Sequence, residues 1–511
     1  MNGQLREPGR QVLAARGATN GRWASRSRGC SVSFGAGTVE RPASPLAAII
    51  PLLGLIVVSL TVWTAREFVY ARVAYGLLAF VALALLMAEA WRWGWIGLAT
   101  PLAAILCGFL YFFCSFPLLN PQLVPGLYGD PERVRLLVAM HAIALLSFLA
   151  GYQAAAFLPW RGFEGWWKRP VSRSRLSRAI VLLFVVYVSL AIYMAAVGKF
   201  SVGVFLSIST YRITDIFPVL ATDPASYYLR QVLRWLPIAV APLAALDLVS
   251  SRRALLPRLW LTAVLLLLAL TTVASGIRYV MLYTLGSVAM TFLLKGPSSG
   301  ARSRFWRALG VSLILLCAGL AALQLQTREI RGLGAMVSGD ARFDLVEAAR
   351  GTVSELGADQ NYTSGRVLEA LSNNSLQPVW GETVLLAFVQ MIPRAIWQSK
   401  PGGDMAKVLG RVNPFAKPNV SYGITGEFAL NFTLWGLPLA MLLFGGLCGA
   451  WWSLFLRHRW QPRMLALYAM SFVPLVFVVR GSFATMFGAL FHSMVVAIIA
   501  LSYARADKRG R

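Results

Sequence analysis

A series of apolar runs, each about as long as a bilayer-spanning helix, most constrains what this chain can fold into. A helix needs about 20 apolar residues to cross the hydrocarbon core of a membrane. Twelve segments have that length and character: 46–64, 69–88, 95–117, 136–158, 179–197, 231–249, 259–275, 278–294, 308–325, 434–456, 464–479 and 484–503. The composition agrees, because 57% of the residues are hydrophobic and 14% are charged, whereas soluble domains have about 25% charged residues. The sequence therefore predicts an all-α polytopic membrane protein.

Basic residues mark alternate connections between the predicted spans. The connections at 159–178, 250–258, 295–307 and 457–463 are rich in Lys and Arg, as are both ends of the chain. Such loops face the cytoplasm in membrane proteins, which predicts twelve spans with both termini inside. The basic cytoplasmic connections thus explain the net charge of +27. Nucleic-acid binding, which needs a basic face on a folded domain, is not required to explain it.

The predicted spans divide the chain into five parts. We expect a disordered basic cytoplasmic tail over 1–43, transmembrane helices 1–9 within 44–326, a long external loop over 327–433, transmembrane helices 10–12 within 434–504, and a cytoplasmic tail over 505–511.

The long loop has ten acidic and ten basic residues, so it lacks the bias of a cytoplasmic loop. Helical periodicity over Val337–Leu371 predicts a helical cover above the bundle. The apolar stretch Thr383–Trp397 is too short to span, and it predicts a helix at the membrane surface.

Arginines on the external side are the strongest chemical signal. Arg278 and Arg480 lie in minimal turns between two spans, where the positive-inside bias disfavours a cation. Further arginines lie in the external loops: Arg212, Arg328, Arg331 and Arg394. Guanidinium groups match phosphate oxygens and often bind them in pairs. Singly, each arginine could have a structural role at a helix end, but together they predict a diphosphate-binding site.

Glu427 precedes the tenth predicted span and is the candidate carboxylate of the site. Two interpretations stay open: an ion pair with one of the external arginines, or a group that positions or deprotonates a hydroxyl. The three histidines and five cysteines have no metal-ligand spacing, so we expect no metal and no cofactor.

Short motifs in the long loop resemble those of Wzy-type O-antigen polymerases. The segment IPRAIW at 392–397, followed by Lys400-Pro401, is similar to a "PR-x-x-W…KP" stretch in that family. The segment GEF at 426–428, with NF at 431–432, is similar to the family's approach to a following span. The turn SGIR at 275–278 is similar to an arginine-bearing turn of these polymerases and of O-antigen ligases.

The resemblance implies a metal-independent glycosyltransferase of GT-C type in the bacterial inner membrane, with its site on the periplasmic face. Its substrates would be oligosaccharide units linked to undecaprenyl diphosphate, and a chain-length regulator and a flippase would be partners. Arg278, Arg394 and Arg480 would contact the leaving diphosphate, and Glu427 would organise or deprotonate the acceptor. Further substrate-binding residues would be Tyr211, Arg212, Tyr279, Arg328, Arg331, Trp397 and Lys400.

Two other functions fit part of the pattern. An O-antigen ligase uses a similar donor, but its long loop usually offers a catalytic histidine, and 327–433 contains none. A flippase or other transporter fits twelve spans, although such folds are commonly built from repeated halves, and no halves are evident in this sequence.

Overall fold

The structure is a computed structural model of the 511-residue chain. It describes residues 68–114, 117–118, 131–155, 164–197, 224–250, 255–274, 278–295, 305–314, 358–389, 392, 396–399 and 422–505. Within these ranges the regular structure is helical, and one antiparallel bridge pairs Val171 with Arg505.

Most α-helices of the described ranges follow the predicted apolar runs. In chain order the helices are α1 (Phe68–Trp93), α2 (Pro101–Phe109), α3 (Pro131–Ala154), α4 (Glu164–Trp167), α5 (Arg173–Val197), α6 (Pro224–Ser250), α7 (Leu255–Ala274), α8 (Arg278–Leu294), α9 (Phe305–Ile314), α10 (Ala358–Ser372), α11 (Glu382–Val389), α12 (Gly423–His458), α13 (Pro462–Val478) and α14 (Phe483–Tyr503). Of these, α4, α10 and α11 lie in predicted connections. Seven of the helices are long and apolar enough to cross a membrane: α1, α3, α5, α6, α7, α12 and α14. The prediction of a polytopic helical membrane protein is confirmed at that level.

One predicted span lies wholly outside the described residues, and another lies mostly outside them. The run 46–64 lies outside them, and 308–325 is described only to residue 314. The predicted tail 1–43 and the segment 327–357 also lie outside.

The predicted span 95–117 is not one continuous α-helix. A 3₁₀ helix covers Gly94–Ala99, α2 begins at Pro101, and a π-helical turn covers Leu110–Cys114. The side chain of Thr100 accepts a hydrogen bond from the Ala103 amide at 2.9 Å. Proline lacks an amide hydrogen and favours the first turn of a helix, so the sequence starts a new helix at this point.

Helices α3 and α12 pack closely because glycines face backbone. A Cβ atom on Gly445 would lie 2.0 Å from the Phe148 carbonyl oxygen, and one on Gly449 would lie 2.4 Å from the Tyr152 oxygen. On α3, a Cβ atom on Gly151 would in turn overlap the Leu442 carbonyl oxygen of α12. Small residues four apart are a common means of close helix packing in membranes. This contact fixes α12, which carries the candidate carboxylate, against the C-terminal part of α3.

Two of the basic connections predicted to face the cytoplasm, 159–178 and 457–463, meet the end of α14 at one end of the bundle. The Ser172 amide donates to the Ala504 carbonyl at 2.7 Å, which joins the 159–178 connection to the end of α14. The fully buried Arg463 donates to the carbonyl of Trp166 at 2.6 Å and to that of Leu501 at 3.3 Å. Since Arg463 lies at the start of α13, the other end of α13 marks the opposite side of the bundle.

Helix α12 breaks at Thr433, where φ is 70° and ψ is 174°. The break coincides with the predicted boundary between the long loop and the span 434–456. The residues before it, 423–432, are nevertheless helical and largely buried and not part of an open loop. Their glycines and polar side chains lower the local hydropathy, which is why the sequence placed them in the loop.

Candidate functional site

A buried carboxyl group lies at the centre of the site. Glu427 is 0% exposed, and its Oε1 atom accepts a hydrogen bond from the Thr383 hydroxyl at 2.6 Å. Its Oε2 atom accepts from the Phe483 amide at 2.6 Å, and the Ser482 side chain also hydrogen-bonds the carboxyl group. An ionised carboxylate is an acceptor only, so hydroxyl and amide donors suit both of its oxygens. Among the described residues no arginine pairs with it, so the ion-pair interpretation has no support there.

Asn431 links the carboxyl group to α11. Its Nδ2 atom donates to the Thr383 hydroxyl at 2.6 Å and to the Glu427 carbonyl at 2.7 Å, and its Oδ1 atom accepts from the Thr383 amide at 3.3 Å. The Thr383 hydroxyl therefore accepts from Asn431 while it donates to Glu427. We call Thr383, Glu427, Asn431, Ser482 and the Phe483 amide the carboxylate cluster.

Helix α11 brings Thr383 to the cluster. Gly381 has φ +85°, a left-handed conformation that favours glycine, and α11 begins at the next residue. Thr383 and Ala387, one turn apart, are buried, whereas Phe388 is 44% exposed and packs on Phe491 of α14 with ring centroids 5.3 Å apart. This amphipathic helix is described over Glu382–Val389, within the segment predicted as a surface helix.

Helix α10 is the described part of the segment predicted as a cover, and one face of it is buried against the bundle. Its first half presents a run of buried uncharged polar side chains: Gln360, Asn361, Thr363 and Ser364. Asn361 donates from Nδ2 to the Phe113 carbonyl at 3.0 Å, and the Ser364 hydroxyl donates to the Tyr422 carbonyl. The segment QNYTS has few apolar residues, so its hydropathy gives no sign of burial. Gly365 is the local hint of close packing, because a Cβ atom there would lie 3.3 Å from the Arg133 side chain.

An ion pair joins α10 to the start of α3. Arg133 donates from Nε to Glu369 Oε2 at 2.7 Å and from Nη2 to Oε1 at 2.9 Å, a two-point contact. The Arg133 side chain is only 9% exposed. Arg366 lies 3.5 Å from the same carboxylate, and its pKa is raised first by a hydrogen bond to Tyr362 and then by Glu369. Sequence reasoning missed this pair because its partners are far apart in the chain.

Arg480 lies in the turn that carries part of the carboxylate cluster. Its guanidinium carbon lies 5.6 Å from the centre of the Phe112 ring, and its side chain is half-buried. The turn is tied to α12, because the Ile424 amide donates to the Val479 carbonyl at 3.1 Å. Gly423 permits this approach: its φ is +59°, and a Cβ atom there would lie 2.7 Å from the Phe113 ring. Two residues, Gly481 and Ser482, separate Arg480 from the Phe483 amide that binds Glu427.

The start of α8 lies at the same end of the bundle. Arg278 is the first residue of α8, and its side chain lies outside the described part. Tyr279 packs on Tyr283 at 5.8 Å between ring centroids, and Tyr283 packs on Phe477 at 6.3 Å. Since Phe477 is one turn before Arg480, the two arginine-bearing turns predicted from the sequence lie at one end of the bundle.

The remaining predicted site residues are mostly outside the described ranges. Trp397 is described, and its Nε1 atom donates to the Ser399 hydroxyl at 3.0 Å. Those outside are Tyr211, Arg212, Arg328, Arg331, Arg394 and Lys400. The described residues contain no group of three or more His, Cys, Asp or Glu side chains that could hold a metal ion.

Comparisons with protein-family models, with curated proteins and with solved structures found no match. The resemblance to O-antigen polymerases therefore rests on the quoted motifs, and the function has to be inferred from the residues and their contacts.

Proposed function

We propose that this chain is a GT-C-like polysaccharide polymerase with twelve spans, which joins undecaprenyl-diphosphate-linked oligosaccharide units at the periplasmic face of the bacterial inner membrane. One observation carries the proposal. Glu427 and Asn431, from the motifs that resemble the polymerases, form one buried cluster with Thr383 and with the turn that follows Arg480. The most distinctive motif and an external arginine thus meet at one end of the bundle.

In the proposed reaction, a hydroxyl oxygen of the acceptor sugar attacks the anomeric carbon of the donor chain. The new glycosidic bond forms while the bond from that carbon to the carrier diphosphate breaks, and the hydroxyl proton passes to solvent water. Undecaprenyl diphosphate departs as an anion. Guanidinium groups placed where this charge develops would lower the barrier, and Arg480 and Arg278 occupy turns at the same end of the bundle.

We assign Glu427 a positioning role. Its two oxygens accept hydrogen bonds from α11 and from the start of α14. Glu427 therefore holds the turn that carries Arg480 close to α11. A general base has to reach the proton that it removes, and a fully buried carboxyl group with filled acceptor sites is poorly placed for that. Of the two roles that the resemblance implies, the contacts support organising the site.

The proposal is tested in a deletion strain of the source bacterium. Loss of long polymer, with single-unit glycan retained on its acceptor, is the expected result. Re-expression of the wild-type chain restores polymer, Arg480→Ala does not, and Arg457→Ala, which removes an exposed charge from the other end of α12, does. If the Arg480→Ala variant restored glycan polymer of wild-type length, the assignment of Arg480 to the site would be wrong.

The same strain distinguishes the alternatives. A ligase deletion leaves no glycan on the final acceptor while polymer stays on the carrier lipid. A flippase deletion leaves single units on the cytoplasmic side. The purified protein provides a second test: given the carrier-linked oligosaccharide, a chelator and no nucleotide sugar, it should release undecaprenyl diphosphate and lengthen the glycan. No lengthening by protein that elutes as a folded species would contradict the polymerase assignment.

A further inference from the structure

A groove between α5 and α7 lies at the basic end of the bundle, away from the carboxylate cluster. It has a volume of about 620 Å³. Six of its lining residues follow one face of α5, and Pro257 of α7 closes the other side. These helices are the two least buried of the candidate spans, so the groove opens toward the surrounding lipid.

The groove is polar at one end and apolar along the rest. Ser174, Ser177 and Arg178 form the polar end, in the first two turns of α5. Val181, Leu182 and Val185 form the apolar part. At about 1.5 Å per residue, Val185 lies about 10 Å deeper than Arg178, and one leaflet of the hydrocarbon core is about 15 Å thick. The apolar part therefore runs through most of one leaflet.

The charge at the polar end favours an anion. Neither α5 nor α7 contains an acidic residue. Arg178 is exposed and forms no ion pair with a described residue. Arg173 and Arg175 precede it on the same helix, and Arg258 follows Pro257 on α7. A guanidinium flanked by serine hydroxyls offers charged and neutral donors to phosphate oxygens.

We propose that this groove binds one anionic glycerophospholipid from the leaflet at the basic end. Its phosphate contacts Arg178 and the two serines, and one acyl chain lies along Val181, Leu182 and Val185. The proposal does not depend on the glycosyltransferase function, because the groove lies at the end of the bundle opposite to the carboxylate cluster.

Native mass spectrometry of the purified full chain, titrated with phosphatidylglycerol, tests the proposal. One tightly retained lipid is expected for the wild-type protein, with phosphatidylcholine at least fivefold weaker. Arg178→Ala should weaken the binding of phosphatidylglycerol about fivefold, the factor that one basic residue near an anionic headgroup contributes. Arg173→Ala, which removes the same charge from the same helix outside the groove lining, should change retention less than twofold.

Two further variants of the experiment separate a seated lipid from free phosphate and from general surface charge. Val181→Trp fills the apolar part without changing the charge, and it should also displace the lipid; unchanged retention would contradict a seated acyl chain. Inorganic phosphate should compete poorly; full competition at millimolar concentration would mean a site for free phosphate and overturn the lipid assignment. Equal losses in Arg178→Ala and Arg173→Ala would reduce the effect to general surface charge and would also overturn it.

Discussion

The contact between α3 and α12 allows a sharp test of the fold, with Gly445→Ala as the perturbation. A Cβ atom at this position would lie 2.0 Å from the Phe148 carbonyl oxygen, so the two helices must separate until that distance exceeds at least 3.0 Å. A gap of about 1 Å forfeits up to half of the dispersion energy of the atoms that line it. Overpacking of this kind typically costs about 1–3 kcal/mol, and alanine regains about 1 kcal/mol of helix propensity. We expect a net loss of up to about 2 kcal/mol.

The neighbouring glycine provides the matched control. A Cβ atom on Gly446 would meet nothing closer than the Gly151 carbonyl oxygen at 3.8 Å, so Gly446→Ala should be neutral or stabilising by up to about 1 kcal/mol. Thermal unfolding of both variants in detergent, followed by size-exclusion chromatography of the surviving folded fraction, measures the difference. Gly445→Ala should melt several degrees below Gly446→Ala. Equal melting midpoints would show that α3 and α12 are not in backbone contact. The position of α12, and of Glu427 with it, relative to α3 would then have to be revised.

Three further variants test the other contacts by the same thermal assay. Arg463→Lys should cost about 1.5–3 kcal/mol, because lysine cannot donate to two carbonyls with the geometry of the guanidinium that stacks on Trp166; wild-type stability would contradict the buried contact. Glu369→Gln leaves the nearly buried Arg133 without its carboxylate partner, so it should lower the free energy of unfolding by about 1–3 kcal/mol. Unchanged stability would contradict the ion pair. Thr383→Val deprives two buried partners of the hydroxyl and should cost about 1–3 kcal/mol or more, whereas Thr383→Ser should recover most of it; equal losses in both variants would exclude the hydroxyl as the cause.

The helices were predictable because their signal is local. A run of apolar residues as long as α6 or α14 has one favourable state in a bilayer, where every backbone group has to be hydrogen-bonded within the segment. The alternating basic connections were predictable for a similar reason, since each carries its own charge. That two of these connections meet at one end, through Arg463, follows from that pattern, and the orientation in the membrane stays a prediction.

The carboxylate cluster was only half predictable. Glu427 and Asn431 lie four residues apart, a spacing that places both on one face of a helix. Glu427 was a predicted site residue, whereas Asn431 entered only as part of the NF motif. Thr383 was not singled out, because its contact with Asn431 spans 48 positions, and an isolated threonine before an apolar run reads as an ordinary helix start. The burial of Asn361 was missed for the same reason: a polar segment looks exposed until its partner, the Phe113 carbonyl, is known.

The burial of Glu427 explains why so many polar groups gather around it. A carboxyl group without partners in an apolar interior costs several kcal/mol, and the bundle recovers that cost only if each oxygen meets a donor. The donors here come from α11 and from the turn before α14. If either element moved away, one oxygen of the Glu427 carboxyl group would lose a hydrogen-bond donor. Arg480 is three residues from the amide that binds the carboxyl group, so its placement depends on the same contact. In the proposed reaction the carboxyl group therefore acts through the arginine's position.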